Sequence, residues 1–294
     1  MFGQDGFIAV DWGTTNRRAY RVGPDGRHDA EFEDDRGVLA VAAGEFAPAV
    51  AQIRERLGEL PLLLAGMIGS NRGWVEAPYA PCPAGFDELA AKLIWAEPGR
   101  AAIVPGLSLL NDTRADVMRG EEVQLLGAVA AGLIPADGLA CHPGTHNKWV
   151  VLAGSRITSF RTVMTGELFN HLKGKGIFAD WLGGPVVPGE AFRAGVRDGL
   201  DGGALGADLF AVRARVLLGR SKAEDAASYT SGLLIGADAC AGLADGAGKV
   251  TVIGRPELTR LYATAISEAG REAVEVDGED AFLAGIIEIA RRIA

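Results

Sequence analysis

This sequence predicts an α/β fold in two similar domains, each a mixed sheet flanked by helices. Three observations predict it. A short phrase occurs twice, as Gly13-Thr14-Thr15-Asn16-Arg17 and as Gly144-Thr145-His146-Asn147-Lys148, both of the form Gly-Thr-x-Asn-[Arg/Lys]. Each copy leaves one β-prone run (Ile8-Ala9-Val10; Leu139-Ala140-Cys141) and enters another (Ala19-Tyr20-Arg21-Val22; Trp149-Val150-Val151-Leu152). Strand hairpins followed by helical spacing then recur in both halves, the pattern of mixed sheets covered by helices. Two similar phosphate-sized turns, one in each half, imply two similar domains facing each other across a nucleotide.

Composition agrees with a two-domain globular chain. The 294 residues suffice for two domains of ordinary size, with 48% apolar and 23% charged residues. The formal charge of −9 excludes a nucleic-acid binder that works through a basic face. Small anions are not excluded, because a few local cations decide such sites. Cys82, Cys141 and Cys240 have no CxxC spacing and form no disulfide framework, as expected of a reduced compartment. The start Met1-Phe2-Gly3-Gln4-Asp5 has no basic segment followed by an apolar one, so no signal peptide is expected. The longest apolar stretch, Leu125 to Pro135, is too short for a membrane span. A cytoplasmic protein is the expectation.

Along the chain, Phe7 to Asp11 is apolar and β-prone, and Gly23-Pro24-Asp25-Gly26 is a turn after which His28 to Phe32 can pair back. Phe46, Val50, Ile53 and Leu57 are spaced for one face of a helix. Leu62 to Ala65 reads as a buried strand ending in Gly66-Met67-Ile68-Gly69-Ser70-Asn71. The Pro-rich stretch from Trp74 to Pro83 suits neither helix nor strand, and such long loops are often binding loops. Ala101 to Val104 is a further strand. Asn111-Asp112-Thr113-Arg114-Ala115-Asp116 leads into a helix expected over 117–133, acidic in its early turns. Pro135-Ala136-Asp137-Gly138 breaks the chain, so the expected domains are 1–136 and 137–294. In the second half, Ile157 to Val163 is a strand and Thr165-Gly166-Glu167 opens a helix through Leu172. Val250 to Ile253 is a strand, followed by a turn at Gly254-Arg255-Pro256 and a helix over 257–269 with Pro256 near its first position. Ala273 to Val276 and an amphipathic helix over 281–293 finish the chain, and that helix is a candidate to pack back on the first domain.

The repeated turn carries chemistry. Glycine lets the backbone come close to a phosphate, and successive N–H groups form a concave anion site. Threonine hydroxyls add donors, and Arg17 or Lys148 adds charge. Asp11 ends the first strand, and a carboxylate there repels phosphate unless a cation lies between them. Mg²⁺, usually held by one or two carboxylates plus phosphates and water, fits. The competing reading is a pair of unrelated hairpin turns, against which stand the two copies with matched flanking strands.

Ile8 to Asn16 resembles the first phosphate motif of the actin-like ATPase and sugar-kinase superfamily, and the second turn resembles its second phosphate motif. The segment 250–266 resembles its adenosine motif, and 117–133 and 281–293 resemble its two connecting helices. More specific blocks are Ala65 to Trp74, Glu76-Ala77-Pro78-Tyr79, Val117-Met118-Arg119-Gly120-Glu121-Glu122, Pro143 to Trp149, Phe160 to Leu168 and Ser231 to Gly236. Together they resemble the 2-dehydro-3-deoxygalactonokinase family over nearly the whole chain. The resemblance implies two actin-like (ribonuclease H-like) domains with five-stranded mixed sheets and the nucleotide in the cleft. It also implies ATP-dependent phosphorylation of the 6-hydroxyl of 2-keto-3-deoxygalactonate, in galactonate breakdown.

Phosphoryl transfer to an alcohol needs Mg²⁺, cations on the phosphates and a carboxylate for the hydroxyl. Asp11 is assigned to Mg²⁺, with Glu121 as a second metal carboxylate. Gly13, Thr14, Thr15, Asn16, Gly144, Thr145, His146, Lys148 and Gly254 are assigned to ATP. In related sugar kinases the catalytic aspartate stands just before or at the start of the first connecting helix. Asp112 and Asp116 both qualify, and the choice stays open; Asp116 could equally be a helix N-cap and Asp112 an exposed turn residue. For the sugar acid, Arg17, Arg72 and Arg161 can grip a carboxylate through paired hydrogen bonds, and Asn71, Glu76 and Tyr79 can read hydroxyls. A surface salt bridge or loop hydrogen bond is the competing role for each. Trp74 reads as packing. Gly248-Lys249 lacks the following Ser/Thr of a mononucleotide loop, and Cys141, His142 and His146 are explained better by the turn than by zinc. A kinase for another sugar or sugar acid, such as 2-keto-3-deoxygluconate, and a non-catalytic actin-like ATP-binding module remain alternatives. Oligomeric state, with a homodimer among the options, stays open.

Overall fold

The structure, a computed structural model, describes residues 4–174 and 176–293. Met1-Phe2-Gly3, part of the N-terminal stretch read above for a leader, lie outside the described residues. Two compact units are present: residues 1–136, 153–159 and 279–294 make up the first, and 137–152 with 160–278 the second. In chain order the elements of the first half are β1 (Phe7–Trp12), β2 (Arg17–Val22), β3 (His28–Asp34), α1 (Phe46–Leu57), β4 (Leu62–Gly66), β5 (Tyr79–Pro81), α2 (Phe86–Ala91), β6 (Ile94–Glu97), β7 (Ala101–Ile103), β8 (Gly106–Asn111), β9 (Arg114–Met118) and α3 (Glu121–Ala130). There follow β10 (Gly138–His142), β11 (Asn147–Ala153), β12 (Arg156–Val163), α4 (Thr165–Gly174), α5 (Glu190–Leu200), α6 (Leu205–Leu217), α7 (Ala226–Leu243), β13 (Val250–Gly254), α8 (Pro256–Glu268), β14 (Ala273–Asp277) and α9 (Gly278–Ile293).

Both sheets are mixed, as expected. The first has the strand order β3-β2-β1-β4-β7-β6 and the second β12-β11-β10-β13-β14. In each, a hairpin (β1–β2, β10–β11) continues into parallel neighbours (β4, β13). The first sheet has six strands instead of five because Ile94–Glu97 adds antiparallel to β7. A separate three-stranded sheet, β5-β8-β9, was not anticipated. It takes Tyr79–Pro81 out of the stretch read as irregular and pairs it parallel with β8.

Burial follows the periodicities. Central strands β1 and β4 are apolar on both faces, and Phe7, Ile8, Val10, Leu62, Leu63 and Leu64 are all buried. The α1 face of Phe46, Val50, Ile53 and Leu57 packs on Ile8, Val10, Trp12, Leu62 and Leu64, and Trp74 joins the margin of this cluster. A second cluster joins Leu139, Cys141, Trp149, Val250 and Val252 to Phe192, Val196, Ile235 and Tyr262 from the helices.

The helix expected over 117–133 needs correction. Val117 and Met118 belong to β9, opposite Ser108 and Leu107. β-branched Val117 suits a strand, and Gly120, at φ 109°, turns the chain before the helix begins at Glu121. Helix α9 lies on α3 at close range: a Cβ on Gly285 would meet the Val123 carbonyl oxygen at 2.0 Å. Helices α5 to α7 cover a region for which periodicity predicted no element. Among the described residues no helix is long and apolar enough to cross a membrane.

Candidate functional site

In the first unit the site grows from the end of β1. Asp11 stands in register with Arg18 on β2 and Ala65 on β4. The turn after it is closed by the Gly13 N–H, which donates to the Asn16 carbonyl at 2.9 Å. Its carbonyls are held from outside: Thr15, Gly13 and Thr14 accept the N–H groups of Gly37, Val38 and Leu39. This contact leaves no room at Gly37, where a Cβ would meet the Thr14 carbonyl oxygen at 2.3 Å. Thr14 and Thr15 are exposed, and Asn16 donates to Glu33 at 3.3 Å.

Arg17, expected to hold the sugar acid, is turned inward in the structure. Its guanidinium is 1% exposed, forks onto Asp34 (3.1 and 2.6 Å), and lies 4.7 Å from the Trp12 ring centre. It is a framework ion pair beneath the turn. Strand alternation from Asp11 gives the physical reason: Arg17 points to the same side as buried Trp12 and Ala19 rather than out of the turn.

Gly66 and Gly120 bring the head of α3 to the end of β1. A Cβ on Gly66 would lie 3.4 Å from Asp11 Oδ1, and one on Gly120 would lie 3.1 Å from Gly66 Cα. Glu121, half-buried, accepts the Arg119 backbone N–H at 3.0 Å. Glu122 is fully buried and both its oxygens accept the Gly120 N–H, at 2.9 and 2.8 Å. Burial, with the charge of Glu121, pushes its pKa from 4.5 up to about 8. The raised group stabilises the fold while protonated, so that contribution is complete below about pH 4.5 and is lost as pH rises through about 8. Glu122→Gln, uncharged throughout, is therefore expected to flatten the decline in melting temperature across this window. A variant curve parallel to the wild type would show that Glu122 does not carry the proton.

Asp112 and Asp116 stand elsewhere than expected. Asp112 is exposed at the tip of the β8–β9 hairpin. Asp116 is half-buried within β9, and its carboxylate accepts the N–H of Val117 at 2.8 Å. Neither begins a helix, because the strand continues to Met118. Asn71, Arg72, Glu76 and Tyr79 do share one loop, folded by Trp74 N–H to Ile68 and Ala77 N–H to Gly69 carbonyl bonds of 2.9 Å each. Their side chains are exposed.

In the second unit the repeated turn is tied inward. Asn147, fully buried, donates to both oxygens of Asp238 (3.1 and 3.0 Å) and accepts from the Cys141 thiol. Asp238 also receives Trp149 Nε1 (2.7 Å), Thr165 Oγ1 (2.5 Å) and the Tyr262 hydroxyl (2.6 Å). Burial pushes its pKa up and these four donors oppose the shift. Lys148 is buried, with Nζ donating to the His146 carbonyl at 3.0 Å, so it braces the turn from behind. His146 is exposed and bonded to Glu167 in the first turn of α4, and this contact lowers the Glu167 pKa. Arg161, expected to hold a substrate carboxylate, is engaged by Asp245 through two 2.8 Å bonds from Nε and Nη2.

A cavity of about 380 Å³ opens beside this turn. Gly144, Thr145 and Gly166 form one side, and Phe169, Val186, Leu234, Ile235, Leu258 and Leu261 supply apolar walls. Thr165, Asn170, Ser231, Glu257 and Tyr262 provide polar groups. Gly254 ends β13 next door, where a Cβ would lie 3.7 Å from the Pro143 carbonyl oxygen. Apolar walls with a few convergent polar groups suit a flat nucleobase and ribose, and the amide-rich turn at the rim suits phosphate. The residues therefore fit a nucleotide. Among the described residues no three or more His, Cys, Asp or Glu side chains are grouped to hold a metal. A single carboxylate such as Asp11 is an ordinary protein share of a Mg²⁺ shell completed by phosphates and water.

Sequence reasoning missed Asp238 and Arg119. Asp238 had a signal, being a lone acid among apolar neighbours in α7. Arg119 was hidden by the expectation of a helix over 117–133.

The 2-keto-3-deoxy-galactonokinase family profile matches residues 11–289. A 2-dehydro-3-deoxygalactonokinase of Escherichia coli (strain K12) is 38% identical over 300 residues, covering 98% of each chain. A solved structure from Sinorhizobium meliloti, described as a candidate 2-dehydro-3-deoxygalactonokinase, is 37% identical, covers 98% of this chain and 99% of its own, and superposes with a TM-score of 0.90. The activator of the 2-hydroxyisocaproyl-CoA dehydratase from Clostridium difficile, solved with bound ADPNP, superposes with a TM-score of 0.51 at 10% identity, a likeness of fold alone. That fold is the actin-like ATPase and sugar-kinase fold. With its profile, relatives and fold in agreement over nearly its full length, the chain belongs to the 2-keto-3-deoxy-galactonokinase family.

Proposed function

We propose that this protein is an ATP-dependent carbohydrate kinase that phosphorylates the 6-hydroxyl of 2-dehydro-3-deoxygalactonate. The observation that carries the reading is the nucleotide-sized cavity beside the second Gly-Thr-x-Asn turn, in a chain with full-length kinase relatives. The turns at Gly13–Asn16 and Gly144–Lys148 serve the phosphates, within lobes taken as 1–136 and 137–294, the helix over 281–293 packing back on the first. Asp11, with Glu121 near it, would hold Mg²⁺, which when bound supplies charge neutralisation on the phosphates. The loop bearing Asn71, Arg72, Glu76 and Tyr79 serves the sugar acid. Burial favours Asp116 over the exposed Asp112 as the carboxylate for the hydroxyl. That choice is checked by comparing kcat of Asp116→Asn and Asp112→Asn: equal retention would remove both.

The test of the activity is ADP release coupled to a colour or absorbance readout, with MgATP and, in separate reactions, 2-keto-3-deoxygalactonate, 2-keto-3-deoxygluconate and galactose. Turnover with the galactonate derivative well above the other two is expected. Preference for 2-keto-3-deoxygluconate would keep the kinase and change its substrate. ATP binding without turnover on any of the three would favour a non-catalytic ATP-binding module.

A further inference from the structure

We infer that Arg119 is the cation that receives the carboxylate of the sugar acid, an inference that rests on the kinase reading above. Arg119 lies between the end of β9 and the head of α3. Its Nη2 donates to the Ala77 carbonyl at 2.8 Å, and its Cζ sits 4.4 Å from the centre of the Tyr79 ring. Its Nη1 is so close to Gly69 that a Cβ there would come within 2.9 Å. The guanidinium is thus seated on the same loop as Asn71, Arg72, Glu76 and Tyr79.

Arg119 leaves two buried donors unsatisfied, where Arg54 leaves only its Nε. Nε and Nη1 are both buried and have no hydrogen-bond partner among the described residues. Arginine does not shed its proton, so these donors cannot be silenced by neutralisation. Buried donors without acceptors cost free energy and call for a specific cause, such as a ligand that completes them. Other buried arginines of this unit have carboxylates: Arg17 has Asp34 at 2.6 Å and Arg54 has Glu97 at 2.6 Å. Glu122 is near enough to feel the charge of Arg119 but turns both oxygens to the Gly120 N–H. The seat therefore has a fixed positive charge, open donors and an aromatic face, and among the described residues no carboxylate bonds its guanidinium. A carboxylate matches it in charge and acceptor geometry. Tyr79, 36% exposed, lies over the face of the guanidinium and leaves its in-plane donors to the acid.

The test compares wild type, Arg119→Met and Arg119→Lys on two substrates: the sugar acid and its primary amide, which is the same size and uncharged. Thermal stabilisation by the acid alone, without ATP, is read in parallel. In Arg119→Met the KM for the acid is expected to rise about 10- to 100-fold, the range for losing a charged hydrogen bond. Its KM for ATP stays within about twofold, on the view that Arg119 contacts only the acid. The preference for acid over amide collapses, and stabilisation by the acid disappears. Arg119→Lys, which keeps the charge and loses the planar donor array, retains part of the preference. Undiminished acid preference in Arg119→Met would overturn the inference, as would equal losses on acid and amide. If Arg119→Met fails to fold, Arg119→Lys decides, and an unchanged acid KM there overturns it too. Wild-type inactivity on the acid would instead remove the kinase reading itself.

Discussion

Asp11→Asn is expected to lower kcat on the order of 10³-fold while leaving the affinity for the sugar acid within about twofold. The substitution is nearly isosteric and removes one charge. Asp11 lies one residue before the end of a central strand, and its neighbours Val10 and Trp12 are fully buried, so retained shape should mean retained fold. The cations around it have other carboxylates. Arg18, across the ladder, pairs with Glu33 at 3.1 Å and Glu279 at 3.5 Å, and Arg17 pairs with Asp34. Beside Asp11 lie the Gly13–Asn16 turn and, through Gly66 and Gly120, the head of α3. A metal carboxylate in this position acts on the transferring phosphoryl group and leaves the acid's own contacts intact. Coupled ADP release gives kcat, and calorimetric titration of the acid without nucleotide gives the affinity. Raised Mg²⁺ should recover part of the lost rate. Near-normal turnover in Asp11→Asn would remove the metal assignment, and equal loss of turnover and acid affinity would point to a structural role.

Which parts were legible depended on how local the information was. The two turns could be read because each is a five-residue phrase between strands, and β1–β2 and β10–β11 are built that way. The residues following the shared glycine and threonine then diverge in ways no local pattern reveals. Asn16 reaches an exposed Glu33, whereas Asn147 is buried on Asp238, far along the chain. Arg17 and Lys148 look like phosphate cations by spacing, yet strand alternation sends both side chains inward. The error over 117–133 came from apolar residues that suit helix and strand alike. Gly120 divides them, and its positive φ is a tertiary fact set by its approach to Gly66. That one misplacement carried two consequences. It put Asp112 and Asp116 before a helix that starts later, and it concealed Arg119 by giving it a helical neighbourhood.

Asp238→Asn should destabilise the second unit by about 3 kcal/mol and raise the KM for ATP, with the KM for the sugar acid little changed. Asp238 is 2% exposed and accepts from four side chains: Asn147, Trp149, Thr165 and Tyr262. An asparagine offers one carbonyl oxygen where the carboxylate offers two, and its amide would face donors that cannot all turn round. Thr165 and Tyr262 can rotate their hydroxyl protons; the Trp149 N–H and the Asn147 amide cannot become acceptors. With the new carbonyl at the Oδ2 position the Trp149 N–H loses its acceptor, and with it at Oδ1 the Thr165 and Tyr262 hydroxyl protons lose theirs. The affected side chains have a functional side as well: Thr165 and Tyr262 line the nucleotide cavity, and Asn147 belongs to its turn. Stability and ATP affinity should therefore fall together. A control lies on the same helix, where Thr230 is fully buried and its hydroxyl has no hydrogen-bond partner among the described residues. Thr230→Val removes an unsatisfied group at nearly constant shape and is expected to be neutral or stabilising. Urea denaturation followed by tryptophan fluorescence, with ATP titrations on the folded variants, separates the two effects. If Asp238→Asn kept full ATP affinity despite the stability loss, the network would be a packing device, and the turn would owe its shape to its own backbone.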